Sequence, residues 1–366
     1  MSDPSDDARW MNAALALAGR GLGRVWPNPA VGCVIVAGGR VVGRGRTADG
    51  GRPHAEAVAL AEAGPAARGA TAYVTLEPCA HHGRTPPCAD ALIDAGLARV
   101  VVALGDPDPR TDGGGVARLR AAGIAVTEGV ETDAARDLQA GFLSRITRGR
   151  PMVTLKLATT LDGRIATASG ESRWITGPAA RTHVHGQRGR HDAVMIGAGT
   201  ARADDPMLTV RGMGPRPQPV RIVLSRKLDV PEDSALVGSI DQAPVWMLHG
   251  DATPEAARRH LEAAGVTLIE CPTGPGGHLD LGQAMVELGA RGLTRMYCEG
   301  GGALAANLLA ASLVDRLDAY GAGAAIGAEG VPSLGAMGLV TLAEAPRLTC
   351  VDIRKLGPDT LTRWRS

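Results

Sequence analysis

Aromatic side chains are scarce in this chain: they make up 2% of its 366 residues, and Phe142 is the single phenylalanine. Proteins that bind single-stranded nucleic acid stack bases on aromatic platforms, and few are on offer here. An excess of one charge sign is missing too. A formal net charge of +1 gives no broad field to attract nucleic acid or an anionic membrane. No apolar run reaches membrane-spanning length, and the polar, acidic stretch Met1 to Asp7 lacks the basic and apolar regions of a secretory signal. The six cysteines are scattered and form no short disulfide framework. These absences lead us to expect a cytoplasmic protein that acts on small molecules, with neither nucleic acid nor membrane as partner.

What is present is the material of an α/β protein. Hydrophobic residues reach 45%, and 50 glycines and 24 prolines stand as punctuation between periodic apolar segments. In the first half the pattern predicts helices over 8–20, 54–62, 88–95, 116–122 and 132–147. Strands are expected over 31–36, 41–45, 71–76, 99–104 and 124–126. The basic stretch Arg145 to Arg150, closed by Pro151, marks a boundary. A second alternating series follows, with strands over 152–159, 192–197, 219–224, 244–249, 266–270 and 294–298 and helices over 178–189, 254–264, 280–289 and 303–313. Strands near 316–322, 346–354 and 359–364 close the chain. Such alternation predicts two α/β domains, each a sheet covered by helices.

The chemistry concentrates between residues 54 and 88. His54-Ala55-Glu56, then Glu77-Pro78-Cys79, then Cys88 offer one imidazole and two thiols, three ligands of a tetrahedral zinc that keeps a fourth position for water. Glu56, two residues after the histidine, is placed as the general acid/base of a hydrolytic base deaminase. The usual Pro-Cys-x-x-Cys spacing is replaced by the longer segment Ala80 to Pro87, which brings His81, Arg84 and Thr85 beside the site. Arg84 suits a substrate phosphate, because guanidinium pairs bidentately with phosphate. Cys33, Cys271, Cys298 and Cys350 lie in or beside apolar strand-like stretches and are expected in the core. After Pro151, Glu299-Gly300-Gly301-Gly302 forms a strand–glycine–helix turn suited to a pyrophosphate, without strict dinucleotide-fingerprint spacing.

Two other readings compete. A nucleic-acid deaminase would show a short Cys-x-x-Cys, a basic face and no second enzyme domain, and the chain differs on all three. A structural zinc domain would need a fourth protein ligand, for which only His81 or His82 is near.

The whole chain resembles the bifunctional riboflavin-biosynthesis enzymes that join a diaminohydroxyphosphoribosylaminopyrimidine deaminase to a 5-amino-6-(5-phosphoribosylamino)uracil reductase. The resemblance is carried by Pro27-Asn28-Pro29, His54-Ala55-Glu56 and the run from Glu77 to Cys88. It continues through Lys156-Leu157-Ala158, Leu161-Asp162-Gly163-Arg164, Ser172-Arg173-Trp174-Ile175-Thr176, the run from Ala203 to Arg211, and Glu299-Gly300-Gly301. It implies a cytidine-deaminase-like α/β/α sandwich over 1–148, followed by a dihydrofolate-reductase-like α/β domain over 149–366. It further implies zinc in the first and NADPH in the second, a phosphorylated pyrimidine substrate, and a homo-oligomer, dimer or tetramer. By resemblance Asn28, His81, Arg84 and Asp106 line the deaminase pocket. NADPH would be held by Ala158, Trp174, Thr200, Asp204 and the turn Gly301, Gly302, Ala303, Leu304, Ala305, Ala306 and Asn307. The reductase substrate would be held by Ser172, Arg188, Leu208, Arg211 and Glu299, with both arginines suited to its phosphate. Asp204 is expected either to assist protonation or to cap a turn. The chain departs from the family where Gly45-Arg46-Thr47-Ala48 lacks a frequent histidine, and where Asp106-Pro107-Asp108-Pro109 stands for Asp-Pro-Asn-Pro.

Overall fold

A computed structural model describes residues 4–81, 86–231, 233–274 and 276–366. The chain divides into two units, Met1–Gly149 and Arg150–Ser366.

In the first unit the elements run α1 Pro4–Gly19, β1 Gly32–Ala37, β2 Arg40–Arg46, α2 Ala55–Ala63, β3 Thr71–Val74, α3 Cys88–Asp94, β4 Arg99–Val102, α4 Gly114–Ala121, β5 Ala125–Glu128 and α5 Thr132–Arg148. The five strands form one sheet in the order β2-β1-β3-β4-β5, with β1 antiparallel to both neighbours and β3, β4 and β5 parallel. Gly38 and Gly39 have φ of 55° and 73°, the left-handed pair that a tight β1–β2 hairpin requires. Val34, Ile35, Tyr73, Val100 and Val101 from the central strands join Met11, Ala59, Leu92 and Leu119 from the helices in one buried core.

Close backbone contact sets α2 against β2. A Cβ at Gly45 would lie 2.3 Å from the Ala55 carbonyl oxygen, and one at Gly43 would lie 2.2 Å from that of Ala59. The strand and helix therefore touch without intervening side chains at those points. His54 stands just before α2 in extended conformation, so the helix begins immediately after it.

The second unit contains β6 Met152–Thr159, β7 Arg164–Ala166, α6 Pro178–Arg188, β8 Ala193–Gly197, α7 Ala198–Asp204, β9 Val220–Leu224, β10 Val245–His249, α8 Glu255–Ala263, β11 Thr267–Glu270, α9 Leu281–Ala290, β12 Arg295–Cys298, α10 Gly302–Ala310, β13 Arg316–Gly321, β14 Val331–Pro332, β15 Thr349–Leu356 and β16 Asp359–Arg365. Nine of its strands make a sheet in the order β11-β10-β9-β8-β12-β6-β13-β16-β15. The seven strands from β11 to β13 are parallel, and β16 and β15 add an antiparallel edge. Parallel strands are covered on both faces and read as apolar runs. The short strands β7 and β14 pair separately.

Most elements fall within a few residues of their expected bounds. The helix α7 forms where the sequence shows only a Gly-Ala-Gly-Thr cluster, because two glycines mask its helical pattern. Cys33, Cys271 and Cys298 are buried as expected, but Cys350 is exposed. It sits on β15, an edge strand whose residues are largely exposed, so its apolar neighbours do not signal a core.

Candidate functional site

In the first unit, three chain segments converge on one point. Cys79 follows the turn after β3, Cys88 opens α3, and His54 precedes α2. His54 Nδ1 lies 3.3 Å from Cys88 Sγ and 3.7 Å from Cys79 Sγ, and the three ligand atoms all fall within 4.8 Å of one another. Tetrahedral zinc with bonds of about 2.3 Å to sulfur and about 2.0 Å to nitrogen requires N···S edges of roughly 3.5 Å, so the donor set fits in both chemistry and spacing. The Cys88 backbone N–H donates to Cys79 Sγ at 3.3 Å. The neighbouring Cys88 thiol holds Cys79 down to about 4, and the same contact drives Cys88 up. Glu56 is buried on the first turn of α2 and contacts the Cys88 thiol; burial pushes its carboxyl up to about 7.

Around this cluster the expected pocket residues are held in different ways. Asn28 Nδ2 donates to the Gly51 carbonyl at 2.7 Å, which leaves its side-chain oxygen uncommitted by that bond. His81 is half-buried with Nδ1 3.5 Å from Thr111 Oγ1, and among the described residues it does not join the His54, Cys79 and Cys88 group. Asp106 is buried, and burial, with Asp108 and Glu77 close by, lifts its carboxyl to about 6. Arg84 and His82 lie outside the described residues. Asp108, which stands for the more usual asparagine, is neutralised locally: Arg110 Nε donates to Asp108 Oδ1 at 2.9 Å.

Sequence reading passed over Glu77. Its buried carboxylate accepts backbone N–H bonds from Asp106 at 3.3 Å, Gly113 at 3.1 Å and Val116 at 3.0 Å. It thus ties the turn that carries Cys79 to the loop that carries Asp106. A charged residue at the end of an apolar strand was the available signal.

In the second unit, the carboxyl ends of the parallel strands open into a cleft of about 1460 Å³. Ser172, Trp174, Arg188, Thr200, Asp204, Leu208, Arg211, Glu299 and Ala158 line it, as do Gly301, Gly302, Ala303, Leu304 and Asn307. Ala305 and Ala306 do not: both are buried in the body of α10, where helix periodicity turns them to the core. The Gly301 backbone N–H donates to Thr200 Oγ1 at 3.1 Å, joining the glycine turn to α7. Arg181 stacks over the exposed Trp174 ring at 4.8 Å from its centroid.

Arg188, which lines the cleft, also has partners within the protein. Its Nε donates to Glu299 Oε1 at 2.5 Å, its NH2 to Glu299 Oε2 at 3.0 Å, and its NH1 to the Thr209 carbonyl at 3.0 Å. That fork is committed within the protein, whereas Arg211 stays exposed. Burial alone would raise Glu299, but Arg188 holds its carboxyl below the usual range. Lys156 Nζ lies 3.9 Å from Glu299, and burial lowers its ammonium. No role had been read for this lysine, although a charge inside the run Val153-Thr154-Leu155-Lys156-Leu157 signals a site. Asp204 ends α7 without a capping bond from its side chain among the described residues; Asp205 instead accepts the Ala235 N–H at 2.7 Å.

Comparison with known proteins bears on both units. A family model described as the RibD C-terminal domain matches residues 151–362, and one described as the cytidine and deoxycytidylate deaminase zinc-binding region matches residues 4–104. The riboflavin biosynthesis protein RibD of Escherichia coli is 44% identical, covering 96% of this chain and 97% of that protein. The chain belongs to the RibD family. Its RibD relative in Synechocystis is 42% identical, over 97% of this chain and 95% of the relative. Acinetobacter baumannii RibD superposes with a TM-score of 0.90 at 38% identity, covering 99% of each chain. A Thermotoga maritima structure titled as a diaminohydroxyphosphoribosylaminopyrimidine deaminase/5-amino-6-(5-phosphoribosylamino)uracil reductase superposes with a TM-score of 0.86 at 33% identity, covering 99% of each chain. As a RibD-family protein the chain is a bifunctional enzyme of riboflavin biosynthesis, with a zinc-binding deaminase domain and an NADPH-using reductase domain. No helix among the described residues is long and apolar enough to cross a membrane.

Proposed function

We propose that the first unit converts the 2-amino group of 2,5-diamino-6-(5-phosphoribosylamino)pyrimidin-4(3H)-one to a carbonyl, and that the second reduces the ribosyl chain of that product to ribityl. The observation that carries the first half is the His54, Cys79 and Cys88 cluster with buried Glu56 against it. In this reading those three residues hold zinc, which when bound supplies the Lewis acidity that makes water a nucleophile near neutral pH. Glu56 takes a proton from the attacking water and returns protons to the ring nitrogen and the departing amine. Water oxygen becomes the new carbonyl, the C–N bond breaks and ammonia leaves. Asn28, fixed by Gly51, offers its amide oxygen to the pyrimidine, and His81, Asp106 and Arg84 complete the pocket.

In the second unit Ala158, Trp174, Thr200, Asp204 and the turn from Gly301 to Asn307 hold NADPH, which when bound supplies a hydride. Within that turn Ala305 and Ala306 contribute by supporting the helix. Ser172, Leu208, Arg211 and Glu299 surround the ribosyl phosphate, with Arg211 on the phosphate and Arg188 orienting Glu299. Reduction at ribosyl C1 would break the bond from C1 to the ring oxygen, and that oxygen would take a proton. Lys156, beside Glu299, is the donor of that proton.

A homo-oligomer, dimer or tetramer, is supported by Val351 and Ile353, which stand 52% and 70% exposed on the edge strand β15. Light scattering of the purified protein reads this directly. A cytoplasmic location is supported by the near-neutral charge and the absence of a membrane-spanning helix among the described residues. The reaction is tested by mass spectrometry of the diaminopyrimidinone ribosyl phosphate incubated with the zinc-loaded enzyme. Exchange of amino for oxo without cofactor, then gain of two hydrogens only with NADPH, is expected. Failure of the first step overturns the substrate, and failure of the second alone overturns the reading of the second unit.

A further inference from the structure

The sheet order of the second unit gives its cleft a direction. Strands β6, β12, β8 and β9 are adjacent and parallel, so their carboxyl ends open side by side. Lys156 stands on β6 and Glu299 just after β12, and the glycine turn runs from β12 into α10 and is bonded to Thr200 of α7. Three strand spacings of about 4.8 Å place the end of β9 roughly 14 Å from β6. A dinucleotide with its reactive ring at β6 and its pyrophosphate at the glycine turn therefore carries its adenosine ribose toward β9.

Two side chains at that end decide what a ribose 2′ position meets. An acid there favours a free 2′-hydroxyl, and an arginine favours a 2′-phosphate. Asp229 is the cleft-lining acid just beyond β9, and both its oxygens are taken: Oδ1 accepts the Ser225 hydroxyl at 2.7 Å and Oδ2 accepts Arg202 NH1 at 2.6 Å. Arg226 lines the same cleft, and its guanidinium has neither a hydrogen bond nor an ion pair among the described residues. Its position is nonetheless built. Gly250 N–H and the Thr253 hydroxyl donate to the Arg226 carbonyl at 3.0 and 2.9 Å. The stem also passes over Gly250, where a Cβ would meet Arg226 Cγ at 3.2 Å.

We propose that Arg226 is the cofactor-specificity residue of the reductase, binding the 2′-phosphate of NADPH and discriminating against NADH. The proposal rests on the reading of the glycine turn and its surroundings as the cofactor site. A guanidinium fork matches phosphate geometry, and an exposed end of the cleft allows the phosphate to stay partly hydrated. Arg202 balances Asp229 and so removes the repulsion that carboxylate would otherwise exert.

The test is calorimetric binding of NADPH, NADH, 2′,5′-ADP and 5′-ADP to the full-length protein and to Arg226→Gln, with thermal unfolding of both proteins as a check on folding. The variant is expected to lose about tenfold or more in affinity for NADPH and 2′,5′-ADP while NADH and 5′-ADP bind as before. Arg226→Lys should recover part of the loss. If the variant keeps the wild-type preference for 2′,5′-ADP over 5′-ADP, the assignment of Arg226 is overturned while the cofactor site stands. Equal weakening of NADPH and NADH overturns it too, since Arg226 would then act on the shared part of the cofactor. If the wild-type protein binds neither dinucleotide, the cofactor site itself is misread and the proposal falls with it.

Discussion

Glu77 reaches across to the first turn of α4 and accepts the Val116 backbone N–H at 3.0 Å. With its further bonds to Gly113 and Asp106, this carboxylate fixes a loop from the residue two positions before Cys79. Glu77→Ala leaves three backbone donors to find other partners, at a cost of about 3 kcal/mol to the first unit. Ammonia release should fall at least tenfold, while NADPH consumption on supplied aminouracil substrate should hold. Parallel assays of the two activities, with thermal unfolding, check this. Equal loss of both activities would show a general folding defect instead.

The metal ligands and Glu56 separate by experiment. Cys88→Ser is expected to lose zinc, measured by elemental analysis, and with it all deamination. Glu56→Gln should bind zinc at the wild-type level and lose activity on the order of a thousandfold, within the range for removal of a general acid/base. Retained ammonia release in Glu56→Gln would remove that residue from the chemistry.

Lys156 is the residue of the second unit on which the reduction step depends most in the proposed mechanism. Lys156→Gln removes the proton donor and leaves the Arg188–Glu299 pair in place. Reductase kcat should drop about a hundredfold. NADPH affinity and deamination should be unaffected. Steady-state kinetics with direct cofactor titration reads both halves of that expectation.

Acid should weaken the second unit through a buried histidine. His191 sits between the Gln187 carbonyl, 2.7 Å from Nδ1, and Thr154 Oγ1, 3.1 Å from Nε2, and burial pulls its imidazole down to about 3. Unfolded, the same side chain titrates near 6.5. The unfolded state therefore binds the extra proton first, so stability is full above about 6.5 and is lost as pH falls toward 3, by about 1.4 kcal/mol per pH unit for this group. Urea unfolding at pH 7, 6 and 5 should show a steeper decline for the wild type than for His191→Gln. Identical slopes would rule out this histidine as the source.

The site in the first unit was legible because its donors come as short motifs at the ends of helices and strands, where local sequence signals are strongest. His54 stands just before α2, Cys79 follows β3 and Cys88 opens α3, so each donor lies beside the end of an element. The cleft of the second unit draws instead on strands far apart in sequence, and there single residues were read less well. Arg188 lines the cleft as expected, but its pairing with Glu299, 111 residues away, was not legible. No local pattern encodes that pairing. Ala305 and Ala306 fell inside a motif whose helical twist alternates lining and buried positions. Cys350 was placed in a core because apolar neighbours mark a strand without telling whether that strand is central or at an edge.

Where β2 meets α2, Gly43 and Gly45 leave the helix resting on bare main chain. A side-chain layer between two elements can be repacked, and it transmits each change in volume as a shift of the element above. At these two points no such layer exists, so the distance of the start of α2 from β2 is set by the contact radii of peptide atoms. Even one methyl group at position 45 would act as a shim under the site.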